Sequence, residues 1–582
     1  MRTEWYKEDS FYQIWIRSFK DGNGDGIGDL KGVLEKLDYV KSLGVDGIWF
    51  SPIYPSPNAD YGYDISDYCG IHPDYGTMDE FREVLRRAHG MGLKVVMDLV
   101  INHTSDEHPW FKESRKSRTG PYADYYHWKD RPNNWDSFFE GKAWTYCPER
   151  DQYYLHLFSV KQPDLNMDNP EVREEVKRIM RFWLDMGVDG FREDVITYIS
   201  KREGLPDGWP VPILGAMHHY KDGPHIHEYL REFRAVTDDY DVFQVGEGPM
   251  TWLRTAKSYL TGPEKSLDMM ISFDHMVCDC LFTEYIPLPF SLLRYKRALS
   301  RWQYGLAGKA WNALYIENHD HPRVISRYGS EEYRKESGKT LAASYLFLQG
   351  TPFIYQGQEI GMTNIRLPDI NDYADVSTRH NFSTYHLKKT IEERMEYIYR
   401  SSRDSARTPL QWSGGKNAGF TDAETAWFAI NGNFGEVNVE EEEKDPLSIL
   451  HFYREALALR KREKALLYGK YRLLSPLDRH FFAYERTYGG EKEASRENSA
   501  DAGGTESRRP AEEQILVVCH FGKEPATYRV PRSWRGRKAL LILDTENRQT
   551  GAGEEILPDR LSFGAYGAQV YKACAREENH GK

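Results

Sequence analysis

Cysteine is scarce in this chain of 582 residues. No disulfide framework is visible, and the isolated Cys-x-Cys pair has no partner pair for a zinc site, so we interpret the cysteines as buried thiols. A run of about 18 apolar residues is also missing, which predicts no transmembrane helix. The first ten residues, MRTEWYKEDS, lack the apolar centre of a signal peptide. These absences predict a cytoplasmic protein. The six cysteines are Cys69, Cys147, Cys278, Cys280, Cys519 and Cys574.

An excess of basic residues is missing as well, because the formal net charge is -12. This charge argues against nucleic acid or an anionic membrane as the main partner, since both attract a basic surface. Aromatic residues are plentiful, at 14% of the chain. Such residues pack cores and also form the flat walls of sugar-binding clefts. The sequence itself leaves the oligomeric state open, and we expect a monomer or a weak oligomer.

Short apolar runs alternate with amphipathic helical stretches such as Leu30–Leu43, Met78–Met91 and Pro170–Met186. Alternation of strand and helix predicts a parallel sheet, and eight such units predict an α/β fold of the (β/α)8 barrel type. The predicted strands are Tyr12–Ile16, Gly47–Phe50, Val95–Val100, Asp189–Phe191, Val242–Gly246, Met269–Phe273, Ala313–Glu317 and Phe353–Tyr355.

The spacing of the strands predicts three domains. We expect the catalytic barrel over 1–103 and 170–470, and an inserted subdomain after strand 3 over 104–169. Strand-like pieces beyond residue 471 predict a C-terminal antiparallel β-sandwich over 471–582. Within it, Tyr488–Glu513 is rich in Gly, Glu, Ser and Arg, which predicts a solvated loop.

A loop of alternating oxygen donors and glycines begins at Asp21 and ends at Asp29. Glycines let such a loop turn tightly, so that several oxygens can converge on a hard cation. The loop is not an EF-hand, because Gly32 stands where that motif has its glutamate, and it has no phosphate-loop lysine. The sequence predicts a structural Ca2+ site, with Mg2+ as the second choice. The predicted ligands are Asp21, Asn23, Asp25, Ile27 and Asp29.

Carboxylates end several predicted strands, at the face where barrel enzymes place their chemistry. Asp194 and Glu247 end neighbouring strands, so they can lie about 5 Å apart, as retaining glycoside hydrolysis requires. Arg192 lies two residues before Asp194, which favours an ionised nucleophile there. Glu247 has no adjacent cation in sequence, which suits an acid. Asp320 is predicted to stabilise positive charge at the anomeric carbon or to bind sugar hydroxyls.

The chain resembles the α-amylase family, glycoside hydrolase family 13, and within it the oligo-1,6-glucosidase and α-glucosidase group. The segments that carry the resemblance are Tyr61–Asp64, Asp98–His103, Gln162–Asn166, Gly190–Val195, Val245–Glu247, Asn318–Arg323 and Arg403–Trp412. The resemblance covers nearly the whole chain. It implies Asp194 as nucleophile, Glu247 as general acid and base, and Asp320 as transition-state stabiliser, and it implies that Asp21–Asp29 is the metal loop of that family. It further implies a pocket for terminal glucose, closed by Asp60 and one of two arginines so that cleavage is exo-acting. The implied glucose-binding residues are Asp60, Tyr63, His103, Arg192, His319 and either Arg403 or Arg407.

The sequence constrains the preferred linkage less than it constrains the catalytic residues. In similar enzymes, Val at the position of Val195 accompanies α-1,6 cleavage, so we expect an isomaltose-type preference. The sequence also allows an α-1,4-glucosidase, a trehalose-6-phosphate hydrolase, a sucrose-acting enzyme and, from another class, a non-catalytic transporter-associated relative. Two departures from the family pattern are Glu193, which alternation turns away from the barrel interior, and His321, which follows Asp320.

Overall fold

The computed structural model describes residues 3–139, 141–211, 214–281, 283–384, 390–489, 512–546, 550 and 553–574. Within these ranges, no helix combines the length and the apolar character that crossing a membrane requires.

The strands of the described chain are β1 Phe11–Ile14, β2 Gly47–Phe50, β3 Lys94–Leu99, β4 Trp128–Lys129, β5 Trp144–Cys147, β6 Gln152–Leu155, β7 Gly190–Glu193, β8 Phe243–Gly248, β9 Met269–Ser272, β10 Cys280–Leu281, β11 Thr283–Pro287, β12 Ala313–Leu314, β13 Thr351–Tyr355, β14 Lys470–Leu473, β15 Phe481–Tyr488, β16 Glu513–His520, β17 Ala526–Arg529, β18 Lys538–Asp544, β19 Glu555–Ile556, β20 Arg560–Phe563 and β21 Gly567–Ala573.

The α-helices of the same residues are α1 Leu30–Ser42, α2 Met78–Gly90, α3 Pro109–Ser114, α4 Pro170–Met186, α5 Met217–Tyr220, α6 Ile226–Thr237, α7 Leu253–Leu260, α8 Leu292–Leu306, α9 Val324–Tyr328, α10 Arg334–Leu346, α11 Val376–Thr384, α12 Ile391–Ser401, α13 Asp404–Arg407, α14 Val439–Lys444, α15 Ile449–Arg462 and α16 Lys464–Tyr468.

Eight parallel strands form the central sheet, in the order β12-β13-β1-β2-β3-β7-β8-β9. The two end strands, β9 and β12, lie against each other, so the sheet closes into a ring. Each of the eight predicted strands overlaps one of these, and the predicted (β/α)8 barrel is confirmed. The register pairs Asp98 with Arg192 and Arg192 with Val245, which brings the ends of β3, β7 and β8 to one level.

Two apolar cores hold the barrel. Large aromatic side chains, including those of Phe11, Trp49 and Phe243, fill its interior. A second and larger core lies between the strands and the surrounding helices. The helices begin where the sequence supplies caps: Thr77 and Glu80 form a capping box at the start of α2.

The segment between β3 and α4 carries the three-stranded antiparallel sheet β4-β6-β5. Its core is aromatic and shares a cluster with residues that follow β7, such as Val195 and Tyr198. A buried ion pair joins the segment to the loop after β7, because Lys201 Nζ lies 2.8 Å from Asp164 Oδ2. The sheet falls inside the predicted subdomain of 104–169, whose boundaries stay a prediction.

The C-terminal part contains the antiparallel sheet β14-β15-β16-β21-β18-β19 and the hairpin β17-β20. Side chains of both sheets share one apolar cluster, so the two sheets face each other. The segment predicted as a solvated loop lies mostly outside the described residues, at 490–511.

Long cationic side chains cross between the barrel and the C-terminal part, and each donates to backbone carbonyls on the far side. Lys296 Nζ donates to the carbonyls of Ser475 (2.6 Å) and Phe481 (3.0 Å). Lys339 Nζ donates to the carbonyl of Thr545 (2.8 Å). In the opposite direction, Arg486 Nη1 donates to the carbonyl of Phe347 (2.6 Å).

Candidate active site

Three buried carboxylates meet around the guanidinium of Arg192, which is itself fully buried. Nη1 of Arg192 lies 2.8 Å from Asp98 Oδ1 and 2.5 Å from Asp194 Oδ1. Nη2 lies 2.5 Å from Glu247 Oε1. Because both Asp194 and Glu247 reach one planar guanidinium, their carboxyl groups are close neighbours, as the strand pairing predicts.

The charge of this cluster does not balance, because one guanidinium faces three carboxylates. Burial raises the pKa of Asp194 well above its usual range, and Glu247 and Asp98 add to this effect while Arg192 opposes it. Burial also raises the pKa of Asp98 to about 6, again against Arg192. We infer that the cluster holds at least one proton near neutral pH.

No cation lies next to Glu247 in the sequence, but Arg192 lies next to it in the structure. Arg192 lies on β7 and Glu247 on the neighbouring strand β8, and the long guanidinium side chain reaches both Glu247 and Asp194. Arg192 therefore does not distinguish Asp194 from Glu247 by charge. The assignment of Asp194 as nucleophile and Glu247 as acid stays a prediction, which rests on their positions at the carboxyl ends of β7 and β8.

Asp320 lies after β12, and 26% of its side chain is exposed. Its Oδ1 accepts from Arg403 Nη1 and from Arg407 Nη2, each at 3.0 Å, and its Oδ2 lies 3.0 Å from His319 Nε2. Burial raises the pKa of Asp320, but His319 and the two arginines outweigh it and hold that pKa well below its usual range. Asp320 therefore stays ionised near neutral pH.

His319 is held as a neutral ring. Burial lowers its pKa to about 4, against the effect of Asp320. Gln13 Nε2 lies 2.7 Å from its Nδ1, so the amide donates there and the ring proton is on Nε2. Nε2 faces Tyr63 OH at 2.6 Å, and that hydroxyl donates to Asp98 Oδ2 at 3.1 Å. Tyr63 thus connects His319 to the carboxylate cluster.

An ion-pair network of Asp60, Arg403 and Asp375 adjoins Asp320. Arg403 Nη2 lies 3.3 Å from Asp60 Oδ1 and 2.5 Å from Asp375 Oδ1. Burial raises the pKa of Asp60 to about 6, while Arg403 and Arg407 lower it. Both arginines contact Asp320, but within the described residues Arg403 alone comes within ion-pair distance of Asp60. Of the two arginines that the sequence left open, Arg403 is therefore the partner of Asp60.

His103 reaches the same wall through Gln162, whose Nε2 lies 3.1 Å from both His103 Nε2 and Asp60 Oδ2. Burial lowers the pKa of His103 to about 4, so this ring too is neutral. Gln13, Asp98, Gln162 and Asp375 were not among the predicted site residues. Asp98 and Gln162 lie in segments that carry the family resemblance, whereas Asp375 has no local signal in sequence.

Val195, directly after Asp194, has an unusual backbone. Its φ and ψ are 35° and 38°, in the left-handed region that a β-branched residue rarely adopts. Such strain costs about 1–3 kcal/mol and persists only where the surroundings impose it. The N–H of Val195 donates to Glu247 Oε2 at 3.1 Å.

Glu193 points away from the carboxylate cluster, as strand alternation predicts. It is fully buried, and its Oε1 accepts from Gln244 Nε2 at 2.5 Å. Its Oε2 has no hydrogen-bond partner among the described residues. Burial raises the pKa of Glu193 to about 7, with Gln244 opposing the shift.

The predicted metal loop closes on itself. Both oxygens of Asp21 accept protein donors, including the N–H groups of Gly24 (2.6 Å) and Gly26 (2.8 Å). Asp29 Oδ1 caps α1 by accepting from Gly32 N at 2.7 Å, but its buried Oδ2 has no partner among the described residues. An orphaned carboxylate oxygen in a loop that also offers an amide and further carboxylates fits a hard cation. No group of three His, Cys, Asp or Glu side chains suited to a metal occurs in the part of the chain that the structure describes.

A closed (β/α)8 barrel with paired buried acids at the carboxyl ends of its strands is an arrangement that glycoside hydrolases use. The chain belongs to the α-amylase family, since the family model "Alpha amylase, catalytic domain" matches residues 13–469. The oligo-1,6-glucosidase of Parageobacillus thermoglucosidasius is 44% identical over 585 residues, covering 98% of this chain and 99% of its own length.

Two solved structures show the same fold. A trehalose-6-phosphate hydrolase of Bacillus licheniformis is 39% identical with a TM-score of 0.88, covering 98% of this chain and 100% of that chain. The trehalulose synthase of Pseudomonas mesoacidophila is 37% identical with a TM-score of 0.88, covering 99% of this chain and 100% of that chain. The two proteins therefore share one fold, although their names refer to different sugars.

Proposed function

We propose that this chain is an exo-acting retaining α-glucosidase that removes terminal α-linked glucose from short oligosaccharides. Ionised Asp194 attacks the anomeric carbon as Glu247 gives its proton to the leaving oxygen, which forms a glucosyl ester and releases the shortened sugar. Glu247 then removes a proton from water, which cleaves the ester and restores both acids. Asp320 stabilises the positive charge that develops at the anomeric carbon.

The observation that carries this proposal is the imbalance of charge around Arg192. Retaining hydrolysis needs one carboxyl group protonated and its neighbour ionised. One cation among three buried carboxylates favours such a mixed protonation state, because full ionisation would leave uncompensated charge in the barrel. The Val195 N–H donates to Glu247, and such a donor favours the ionised carboxyl group, so it does not account for a protonated Glu247.

Exo-action follows from the network of Asp60, Arg403 and Asp375. Arg403 joins Asp60 to Asp320, so this network forms a wall beside the proposed charge-stabilising carboxylate. We propose that these charged groups also bind the hydroxyls of a terminal glucose and leave no room for a further sugar beyond it. We propose that Tyr63, His103 and His319 complete the glucose pocket.

The preference for α-1,6 linkages rests on Val195 and on the name of the P. thermoglucosidasius relative. A stiff, branched side chain next to the nucleophile restricts how the leaving sugar can approach. Trehalose 6-phosphate is the second candidate substrate, because a hydrolase of that sugar shares the fold over nearly the full chain. Maltose and sucrose are the third and fourth candidates. The retained carboxylates argue against a non-catalytic relative.

We also propose that the Asp21–Asp29 loop binds a structural Ca2+, with Mg2+ as the second choice. Asn23, Asp25 and Asp29 would offer side-chain oxygens, and Ile27 would offer its backbone carbonyl. Asp21 would offer a further side-chain oxygen, since its oxygens accept protein N–H and O–H groups just as those of Asn23 and Asp25 do. The cytoplasmic location and the monomeric or weakly oligomeric state stay predictions.

The test is a comparison of kcat/KM on isomaltose, maltose, trehalose 6-phosphate and sucrose. We expect isomaltose to be the best substrate and the Asp194→Asn variant, which keeps the shape of the side chain, to lose nearly all activity. Maltose, sucrose or trehalose 6-phosphate ahead of isomaltose would reject the α-1,6 assignment. Equal activity in wild type and the Asp194→Asn variant would reject Asp194 as the nucleophile.

A further inference from the structure

Exposed tryptophan is rare in this protein. The chain contains 15 tryptophans, all of which lie in the described ranges. Among them only Trp209 and Trp252 are exposed, at 64% and 69%. An indole is highly buried in most proteins, so a large exposed ring contributes little to the core. Trp209 lies in the loop after β7 and Trp252 in the loop after β8, so both follow the strands that end at the proposed catalytic acids.

The loop between β8 and α7 presents Trp252 on a fixed base. Trp252 follows Glu247 by five residues and is the N-cap residue of α7. Thr251, just before it, is buried, and its N–H donates to the carbonyl of Gly248 at 3.2 Å. Met250 is exposed and has a left-handed backbone with φ of 54°. Such a backbone persists only where the surroundings impose it, so the turn that presents Met250 and Trp252 to solvent has a set shape.

The position of this loop matches the path of the leaving sugar. Helices of a (β/α)8 barrel run back against the strands, so the start of α7 lies at the same face as Glu247. The proposed glucose pocket is closed by Asp60, Arg403 and Asp375, so the rest of the substrate must extend past the acid that protonates the leaving oxygen. Five residues span at most about 18 Å, and the turn shortens that span. A short leaving oligosaccharide can therefore reach Trp252.

We propose that Trp252 determines specificity for chain length, as an aromatic platform for the second sugar of the leaving group. Its flat ring offers apolar surface to the C–H face of a glucose unit, while the hydroxyls of that unit stay in water. The flexible side chain of Met250 extends this surface. The enzyme then prefers substrates of three or more glucose units to disaccharides. This proposal rests on the proposed function and adds a preferred substrate length to it.

The test compares kcat/KM on isomaltotriose with kcat/KM on isomaltose, because these substrates differ only in the second leaving sugar. We expect the ratio to be about threefold or more in wild type and close to one in Trp252→Ala. Trp252→Phe keeps a smaller aromatic face and should give an intermediate ratio.

Trp209→Ala is the matched control, because it removes the same exposed side chain from the neighbouring loop. There the ring of His218 already stacks on the indole, with ring centroids 4.4 Å apart. The ratio in Trp209→Ala should equal that of wild type. An equal fall in Trp209→Ala and Trp252→Ala would overturn the proposal, since loss of any exposed tryptophan would then have the same effect.

A binding measurement covers the case in which Trp252→Ala folds poorly. In the Asp194→Asn variant, isomaltotriose should change the tryptophan fluorescence more than isomaltose does, and a further Trp252→Phe substitution should remove this difference. A difference that persists would overturn the proposal, as would a wild-type kcat/KM ratio near one or an unchanged ratio in Trp252→Ala. If wild type prefers α-1,4 linkages, maltotriose and maltose give the same comparison. Failure of the proposed function is distinct, because wild type would then hydrolyse neither disaccharide.

Discussion

Replacing Glu193 by Gln should remove a pH-dependent loss of stability. Glu193 is fully buried, and its carboxyl accepts a hydrogen bond from Gln244 Nε2. Burial raises its pKa to about 7, so the folded protein binds a proton there that the unfolded chain has lost. Glutamine is neutral at every pH and has nearly the same shape. Its amide also offers an N–H where the protonated acid offers an O–H.

The size of the effect follows from the difference between the two pKa values. An unfolded glutamate has a pKa of about 4.3. A folded-state pKa near 7 means that stabilisation by the proton is fully present below about pH 4.3 and is lost as pH rises to about 7. The loss is on the order of 3 to 4 kcal/mol, at about 1.4 kcal/mol per pKa unit. Glu193→Gln should escape this loss.

The assay is thermal unfolding of wild type and Glu193→Gln at several pH values between about 4.5 and 8. The melting temperature of the variant should rise relative to wild type across this range and then stay level above about pH 7. Glu35→Gln, at an exposed glutamate of α1, should show no such trend. A constant difference between wild type and Glu193→Gln at all pH values would refute the reasoning.

Two further predictions concern the pocket wall and the metal loop. Asp60→Asn keeps the hydrogen bond to Gln162 possible but removes the charge that pairs with Arg403. The KM for isomaltose should therefore rise about tenfold, while kcat changes less. Steady-state kinetics check this prediction, and a fall in kcat alone would contradict it. Chelation with EDTA should lower the melting temperature far more than the initial rate at low temperature, and adding Ca2+ should restore the melting temperature. An unchanged melting temperature would argue against a structural metal.

The barrel was predictable from sequence because its strands are short apolar runs with helices between them. Pro170 and the glycine after Met186 mark the ends of α4, and the structure has that helix over Pro170–Met186. The acids at the strand ends were predictable for a similar reason, since parallel strands end at one face of the barrel.

The contacts that long side chains make between neighbouring strands and loops were not predictable from the sequence. Arg192 pairs with Glu247 on the neighbouring strand, and their distance in sequence gave no sign of it. Asp375 joins the site from the loop after β13, where no local pattern marks it. The left-handed conformation of Val195 runs against the preference of its residue type, so no local pattern in the sequence indicated it.

The cationic side chains that cross between the barrel and the C-terminal part bear on how the chain can be divided. Cutting near residue 470 would leave Lys296 and Lys339 without these carbonyl acceptors, and would deprive the carbonyl of Phe347 of its donor Arg486. A cut there would also expose the apolar side chains of the barrel that share a core with Phe482, Tyr484 and Val517, so the barrel expressed alone would start with a damaged surface. For anyone who engineers this enzyme, the two parts are better treated as one inseparable unit than as a catalytic module with a removable appendage.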